Sequence, residues 1–109
     1  MKIETVKIVV FVPELHADAV RKAIGEIGAG KIGNYGFCSF SVKGVGRYKP
    51  LKGAKPTIGE IDKSESVNEE RIEFICPKNL INKVVKAIKK AHSYEEVALD
   101  IYSLLDHEQ

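Results

Sequence analysis

The side chains best suited to chemistry follow one another closely near the C-terminal end of the chain. His92, Tyr94, Glu95 and Glu96 lie where a predicted helix gives way to a predicted strand. A histidine and a carboxylate can bind a divalent metal, and the same groups can hydrogen-bond a small molecule. Successive strand residues point to opposite faces, so only one of the two glutamates can join His92 in a site. Because two ligands are too few for a transition metal, a metal site here would need ligands from a second subunit.

His92 also has a purely structural interpretation. It follows Ile88 by one helical turn, on or just beyond an apolar stripe, where a lone histidine is commonly packed and hydrogen-bonded. The sequence leaves both interpretations open.

A second group of polar residues lies in a glycine-rich basic segment. Gly44, Gly46, Arg47 and Lys49 surround Tyr48, a combination that can bind a phosphate, a nucleotide or single-stranded nucleic acid. The alternative is a solvated, flexible loop. The acidic half of the same segment would repel a polyanion, which makes nucleic acid an unlikely partner.

The glycines at 28–33 match the pattern G-x-G-x-x-G. A dinucleotide-binding loop needs a strand before this pattern and a helix after it, and here the order is inverted. The same residues nearly match a phosphate-binding loop, but Ile32 replaces the required Ser or Thr. A glycine-rich turn after a helix accounts for the pattern.

Composition places the chain among single-domain globular proteins. It has 109 residues, 44% hydrophobic and 29% charged, with a net charge of +2, which excludes a strongly basic nucleic-acid binder. No apolar run is long enough to span a membrane, and no signal peptide is expected. Cys38 and Cys76 both fall in predicted strands, where they are expected to be buried free thiols, as in a cytoplasmic protein.

Hydrophobic periodicity predicts six elements. Strands are expected at 6–12, 35–42, 67–76 and 97–104, and helices at 15–27 and 79–91, with Asn79 as a helix N-cap. The order β-α-β-β-α-β is that of the ferredoxin-like α+β fold, with two helices on one face of a four-stranded antiparallel sheet. Residues 1–109 form one domain with a long loop at 43–66 and a frayed tail at 106–109. Val9, Phe11 and Ile75 would lie on the open sheet face, whose apolar character predicts an oligomer.

The sequence contains no Ser/His/Asp arrangement with supporting context. Cys38-Ser39 could provide a nucleophile, but no base is placed beside it. The sequence therefore predicts a protein without catalytic residues.

The chain resembles the insert domain of the NGG-one-interacting-factor-three-like family of dinuclear-metal hexameric proteins, and especially small stand-alone YqfO-like proteins. The residues that carry the resemblance are Val12-Pro13-Glu14, Gly28-Ala29-Gly30-Lys31-Ile32-Gly33-Asn34-Tyr35, Cys38-Ser39-Phe40, Gly44-Val45-Gly46-Arg47-Tyr48-Lys49-Pro50, Gly53-Ala54-Lys55-Pro56-Thr57-Ile58-Gly59, Glu70-Arg71-Ile72-Glu73 and the 92–102 segment. The resemblance implies a module similar to CutA and PII proteins, with a homotrimer favoured. It does not imply a metal centre, because the metal ligands of the larger relatives lie in flanking segments. Ser93 and Val97 replace the two prolines of the family's His-Pro-Tyr-Glu-Glu-Pro-Ala pattern, which should loosen this junction.

The function expected from these observations is that of a non-enzymatic, cytoplasmic, regulatory oligomeric module. It would bind a small ligand or a partner protein at its subunit interfaces, with Arg47 and Lys49 meeting an anion. The alternatives are a CutA-like divalent-metal-binding protein, with sites built across subunits from His92, Cys38 and a carboxylate, and a nucleotide or phosphate-ester hydrolase. No cofactor is predicted, although a divalent metal fits the CutA-like alternative. The predicted ligand-binding residues are His92, Tyr94, Glu95, Glu96, Gly44, Gly46, Arg47, Lys49 and Cys38, with His92 as the candidate metal ligand.

Overall fold

The structure is a computed structural model that describes residues 4–105. Its elements are β1 (Thr5–Pro13), α1 (Glu14–Ile27), β2 (Phe40–Tyr48), β3 (Glu65–Pro77), a short 3-10 helix (Lys78–Leu80), α2 (Ile81–Ala91) and β4 (Leu99–Ser103). The predicted order of strands and helices is confirmed. The tail predicted to fray, 106–109, lies outside the described residues.

The four strands form one antiparallel sheet in the order β2-β3-β1-β4. β2 and β3 pair directly as a hairpin, while β1 lies between β3 and β4, which is the strand order of the ferredoxin-like fold, and the prediction of that fold is confirmed. One sheet face packs against α1 and α2, and the other is the open face.

Alternate residues of β1 build the core, as their spacing predicts. Val6, Ile8, Val10 and Val12 are buried, and they pack with helix residues of α1 and α2 such as Val20. Burying each aliphatic side chain of this size contributes about 1.5–3 kcal/mol. The remaining members of the core are Ala17, Ile24, Ala29, Ile72, Phe74, Cys76, Val84 and Ile88.

The two helices begin and end for different local reasons. α1 ends at Gly28, which adopts the left-handed conformation with φ of 99°, a backbone geometry that favours glycine. The prediction that Asn79 caps the second helix is wrong. Asn79 lies inside the 3-10 turn, and Leu80 precedes the first residue of α2 without a side-chain cap.

The predicted loop at 43–66 is wrong at both ends. Residues 43–48 belong to β2 and residues 65–66 to β3, so the irregular segment shrinks to 49–64, called here the 49–64 loop. Gly44 and Gly46 obscured the strand in the sequence, because glycine disfavours strands, but long-range pairing with Glu69 and Val67 overrides that preference. β1 reaches only as far as Glu69 along β3, so the outer part of the β2–β3 ribbon projects beyond β1.

The strand predicted at 35–42 begins only at Phe40. Cys38 therefore precedes the strand and is half-buried, whereas Cys76 lies in β3 and is buried. Both cysteines are free. The prediction of a strand position for Cys38 is wrong because 35–39 bends away instead of continuing the ladder.

The open sheet face is apolar mainly at its edges. Val9 is fully buried even though it lies on this face. Phe11 is half-buried, and the Arg71 guanidinium lies 5.8 Å from the centre of its ring. Phe40 is 64% exposed, Val42 48% and Tyr102 47%. Ile75 is half-buried. Within residues 4–105, no helix has the length and apolar character needed to cross a membrane.

Candidate functional site

A cavity of about 580 Å³ opens beside the projecting ribbon. Its walls come from β2, the 49–64 loop and the segment that joins α2 to β4, called here the 92–98 segment. Most of the wall is aromatic, proline or aliphatic, contributed by Phe11, Tyr48, Pro50, Leu51, Pro56 and Tyr94. The charged lining residues are Arg47, Lys49, Glu69, Glu95 and Glu96. Both the volume and this mixture are typical of small-molecule sites.

Six of the predicted site residues line this cavity, and three do not. Those that line it are Gly46, Arg47, Lys49, Tyr94, Glu95 and Glu96. Gly44 is exposed on β2 with open space around it. Cys38 lies elsewhere, where its thiol contacts the carbonyl oxygens of Tyr35 and Gly36 at 3.7 Å. His92 is buried behind the cavity wall.

Three hydrogen bonds hold the cavity walls together. The Tyr48 hydroxyl donates to the Ile58 carbonyl at 2.6 Å, which fixes the 49–64 loop to β2. The Thr57 hydroxyl donates to the Ser93 carbonyl at 2.7 Å. The backbone N–H of Lys55 donates to Glu95 Oε1 at 2.8 Å. The loop is therefore attached both to the ribbon and to the 92–98 segment.

Both ring nitrogens of His92 are used by the backbone. Nε2 lies 2.7 Å from the Phe11 carbonyl oxygen, and Nδ1 accepts the Tyr94 N–H at 3.1 Å. An accepting Nδ1 and a donating Nε2 define one neutral tautomer, assigned here from the hydrogen-bond partners. His92 is 6% exposed, and it would have to break one of these bonds to bind a metal. Among residues 4–105, no three His, Cys, Asp or Glu side chains are grouped to hold a metal ion.

Tyr94 carries a buried hydroxyl that makes no well-formed hydrogen bond among the described residues, although it lies close enough to Tyr48 and Glu69 for both to affect its pKa. Its ring meets Tyr48 edge to face, with centres 5.9 Å apart. Burial raises the pKa of the Tyr94 hydroxyl, and the nearby Glu69 carboxylate raises it further. A buried polar group without a partner lowers the stability of the folded chain, so this hydroxyl is a candidate for hydrogen-bonding a ligand.

Glu69 is a polar residue near Tyr94 that the sequence prediction missed. Burial raises the pKa of the Glu69 carboxyl, although the nearby His92 ring and the Tyr94 hydroxyl act in the opposite direction. The carboxylate folds over Gly46, where an added Cβ would overlap Glu69 Oε1. Glycine at 46 therefore makes room for this side chain.

Most of the remaining missed residues come from the 49–64 loop, and the others are Phe11 in β1, Tyr48 in β2 and Ala98. Pro56, Thr57 and Ile58 lie far from His92 in sequence, and no local pattern links them to it. Glu69 could have been found by pairing β2 with β3, because alternation then places it on the same face as Gly46 and Tyr48.

Solved structures with the same architecture define the class of this protein. CutA from Archaeoglobus fulgidus, described as a periplasmic divalent cation tolerance protein, superposes with a TM-score of 0.71 at 16% identity, over 96% of this chain and 88% of that one. At that identity the likeness shows the fold alone. The chain is thus a CutA-like ferredoxin-fold module. No family model matches it.

Closer sequence relatives identify the group within that class. The GTP cyclohydrolase 1 type 2 homologue of Bacillus subtilis strain 168 is 50% identical over 96 residues, covering 88% of this chain and 26% of that protein. The homologue from Halalkalibacterium halodurans is 51% identical over 98 residues, 90% of this chain and 26% of that protein. A Bacillus cereus protein related to NIF3 has 49% identity and a TM-score of 0.83, over 95% of this chain and 26% of that one. The chain is a homologue of one segment of these NIF3-related proteins, about a quarter of their length, and the predicted resemblance is confirmed.

Proposed function

We propose that this chain is a non-enzymatic module that binds a small ligand in the cavity between the ribbon, the 49–64 loop and the 92–98 segment. The observation that carries the proposal is the cavity itself, about 580 Å³ with mainly aromatic and aliphatic walls and a few polar groups. Sites of that composition bury most of a small ligand and orient it through their polar atoms.

The hydrogen bonds between the walls support this function. They join Thr57 to Ser93, Lys55 to Glu95 and Tyr48 to Ile58. A cavity whose walls are fixed before binding loses less conformational entropy when a ligand arrives.

A homo-oligomer is part of the same proposal. Phe40 and Val42 are exposed on the edge strand β2, and Tyr102 is exposed on the edge strand β4. Exposed apolar side chains on the open face favour contact with further copies of the chain. The resemblance to CutA and PII proteins favours a trimer, and the free cysteines favour the cytoplasm.

The activity named for the relatives is not part of this proposal. The chain covers 26% of those proteins, and the Cys38-Ser39 pair lies outside the cavity. A CutA-like metal function is less well supported than ligand binding, because both ring nitrogens of His92 already have backbone partners.

Native mass spectrometry of the untagged protein as purified tests the proposal. We expect a closed oligomer with added mass from a retained ligand. Tyr48→Ala removes an aromatic wall and the bond to Ile58, so it should lose the added mass. Tyr35→Ala, at an exposed tyrosine outside the cavity, should keep it. Added mass that is unaffected by Tyr48→Ala would refute ligand binding in this cavity.

A further inference from the structure

Glu69 lacks the cationic partner that neighbouring glutamates on β3 possess. Glu70 lies 2.7 Å from Arg21, and Glu73 lies 3.7 Å from Arg71. Glu69 forms no ion pair within residues 4–105, although it is half-buried and lines the cavity. A desolvated carboxylate without a counter-ion is unfavourable unless something else brings the opposite charge.

Aromatic rings lie around this carboxylate. Tyr48 and Tyr94 meet edge to face at 5.9 Å, and Phe11 contributes a third ring to the cavity wall. The faces of aromatic rings attract cations, and ammonium groups are commonly bound where such rings and a carboxylate meet. The unpartnered Tyr94 hydroxyl adds a hydrogen-bonding group at the same place.

The two cations of the lining do not neutralise Glu69. Strand pairing places Gly46 and Tyr48 on the face that carries Glu69, and alternation directs Arg47 to the opposite face. Lys49 is exposed at the end of the ribbon. An anion attracted to Arg47 or Lys49 would be repelled by the Glu69 carboxylate if it entered the cavity.

We infer that the cavity takes a small ligand carrying an ammonium group, with Glu69 as its counter-ion and the rings of Tyr48 and Tyr94 as its walls. This inference rests on the proposed function of ligand binding and names the chemical class of the ligand. It replaces the anionic ligand that Arg47 and Lys49 suggested from sequence.

The test compares three probes of similar shape and different charge on the full chain. These are 2-phenylethylamine, 2-phenylethanol and phenylacetate, titrated at neutral pH and followed by NMR shifts of cavity-lining amides. The amine should bind about tenfold more tightly than the alcohol, because only the ammonium group brings a positive charge to the Glu69 carboxylate and to the faces of the aromatic rings. Glu69→Gln should reduce amine affinity by about the same factor and reduce alcohol affinity much less, because the introduced amide can still hydrogen-bond an alcohol but cannot neutralise an ammonium group. Glu73→Gln, on the same strand and face but outside the cavity, should change neither.

A glycine pair provides a second test that leaves the carboxylate in the chain. An alanine Cβ at 46 would displace the Glu69 side chain, whereas at Gly44, two residues earlier on the same strand, it meets open space. Gly46→Ala should abolish the preference for the amine over the alcohol, and Gly44→Ala should preserve it.

Tighter binding of phenylacetate than of the amine would overturn the inference and leave ligand binding in the cavity intact. An amine preference that survives Glu69→Gln would also overturn it. If no probe shifts the cavity amides and the Tyr48→Ala protein keeps any added mass, both the inference and the proposed function fail.

Discussion

Replacing His92 tests whether one side chain holds the 92–98 segment against β1. The ring joins the Phe11 carbonyl to the Tyr94 N–H and is 6% exposed. His92→Phe keeps an aromatic ring but removes both hydrogen bonds. Each buried backbone group left unpaired costs about 1–3 kcal/mol, so we expect a loss of about 3 kcal/mol in the free energy of unfolding.

Two further substitutions at His92 separate the bonds. Asn places an acceptor near the position of Nδ1, and Gln places a donor near that of Nε2. Each variant should therefore lose only one bond, at about 1–2 kcal/mol. The order of stability should be wild type first, the Asn and Gln variants next, and the Phe variant last.

Urea unfolding followed by circular dichroism, at one fixed protein concentration, measures these differences. The Phe variant should also melt about 10–20 °C lower than the wild type, given the usual shift per kcal/mol in small domains. His16→Phe on α1, at a histidine that makes no hydrogen bond among the described residues, should stay within about 0.5 kcal/mol of wild type. A His92→Phe protein as stable as that control would refute the two-bond arrangement.

Three other substitutions follow from the cavity and from the turn after α1. Tyr94→Phe should raise the free energy of unfolding by about 1 kcal/mol, because it removes a buried hydroxyl without a partner. If urea unfolding shows a lower free energy of unfolding for the variant, the hydroxyl is hydrogen-bonded in solution. Folding raises the pKa of the Glu69 carboxyl, so the charged side chain destabilises the folded protein once the pH exceeds that pKa. Glu69→Gln should therefore raise the free energy of unfolding most above that pKa and leave it unchanged below the ordinary glutamate pKa. Urea unfolding across pH should show the two proteins converging in stability at low pH, and a constant difference between them would contradict the prediction. Gly30→Ala should lower the melting temperature more than Gly33→Ala does. Both glycines have a positive φ, but an added Cβ at Gly30 would lie 2.5 Å from the backbone oxygen of Cys38, whereas one at Gly33 meets nothing. Equal losses in melting temperature would contradict that close approach.

The sheet and helices could be predicted because their residues repeat with a clear period. Val6, Ile8, Val10 and Val12 alternate along β1, and all four are buried. The outer ends of β2 and β3 could not be predicted in this way. Their stability comes from pairing between distant residues such as Gly44 and Glu69, which a local pattern does not contain.

The cavity was only partly predictable for the same reason. Glu95 and Glu96 could be predicted as site residues because they lie close in sequence to His92, whose side chain can bind a metal or a small molecule. Thr57 and Lys55 reach the same cavity through hydrogen bonds to residues 36 and 40 positions away. His92 is a candidate ligand by residue type alone, whereas its contacts with the backbone of Phe11 and Tyr94 could not be predicted from the sequence.

The 49–64 loop contributes no side chain to the buried core cluster. It is attached to the rest of the chain through contacts such as those to Ser93 and Glu95. One wall of the cavity, built from loop residues such as Pro56 and Thr57, is thus separate from the core that makes the chain fold. Such a chain can exchange its loop sequence for another of similar length and so reshape the cavity around the fixed Glu69, Tyr48 and Tyr94 side chains while its melting behaviour stays nearly the same.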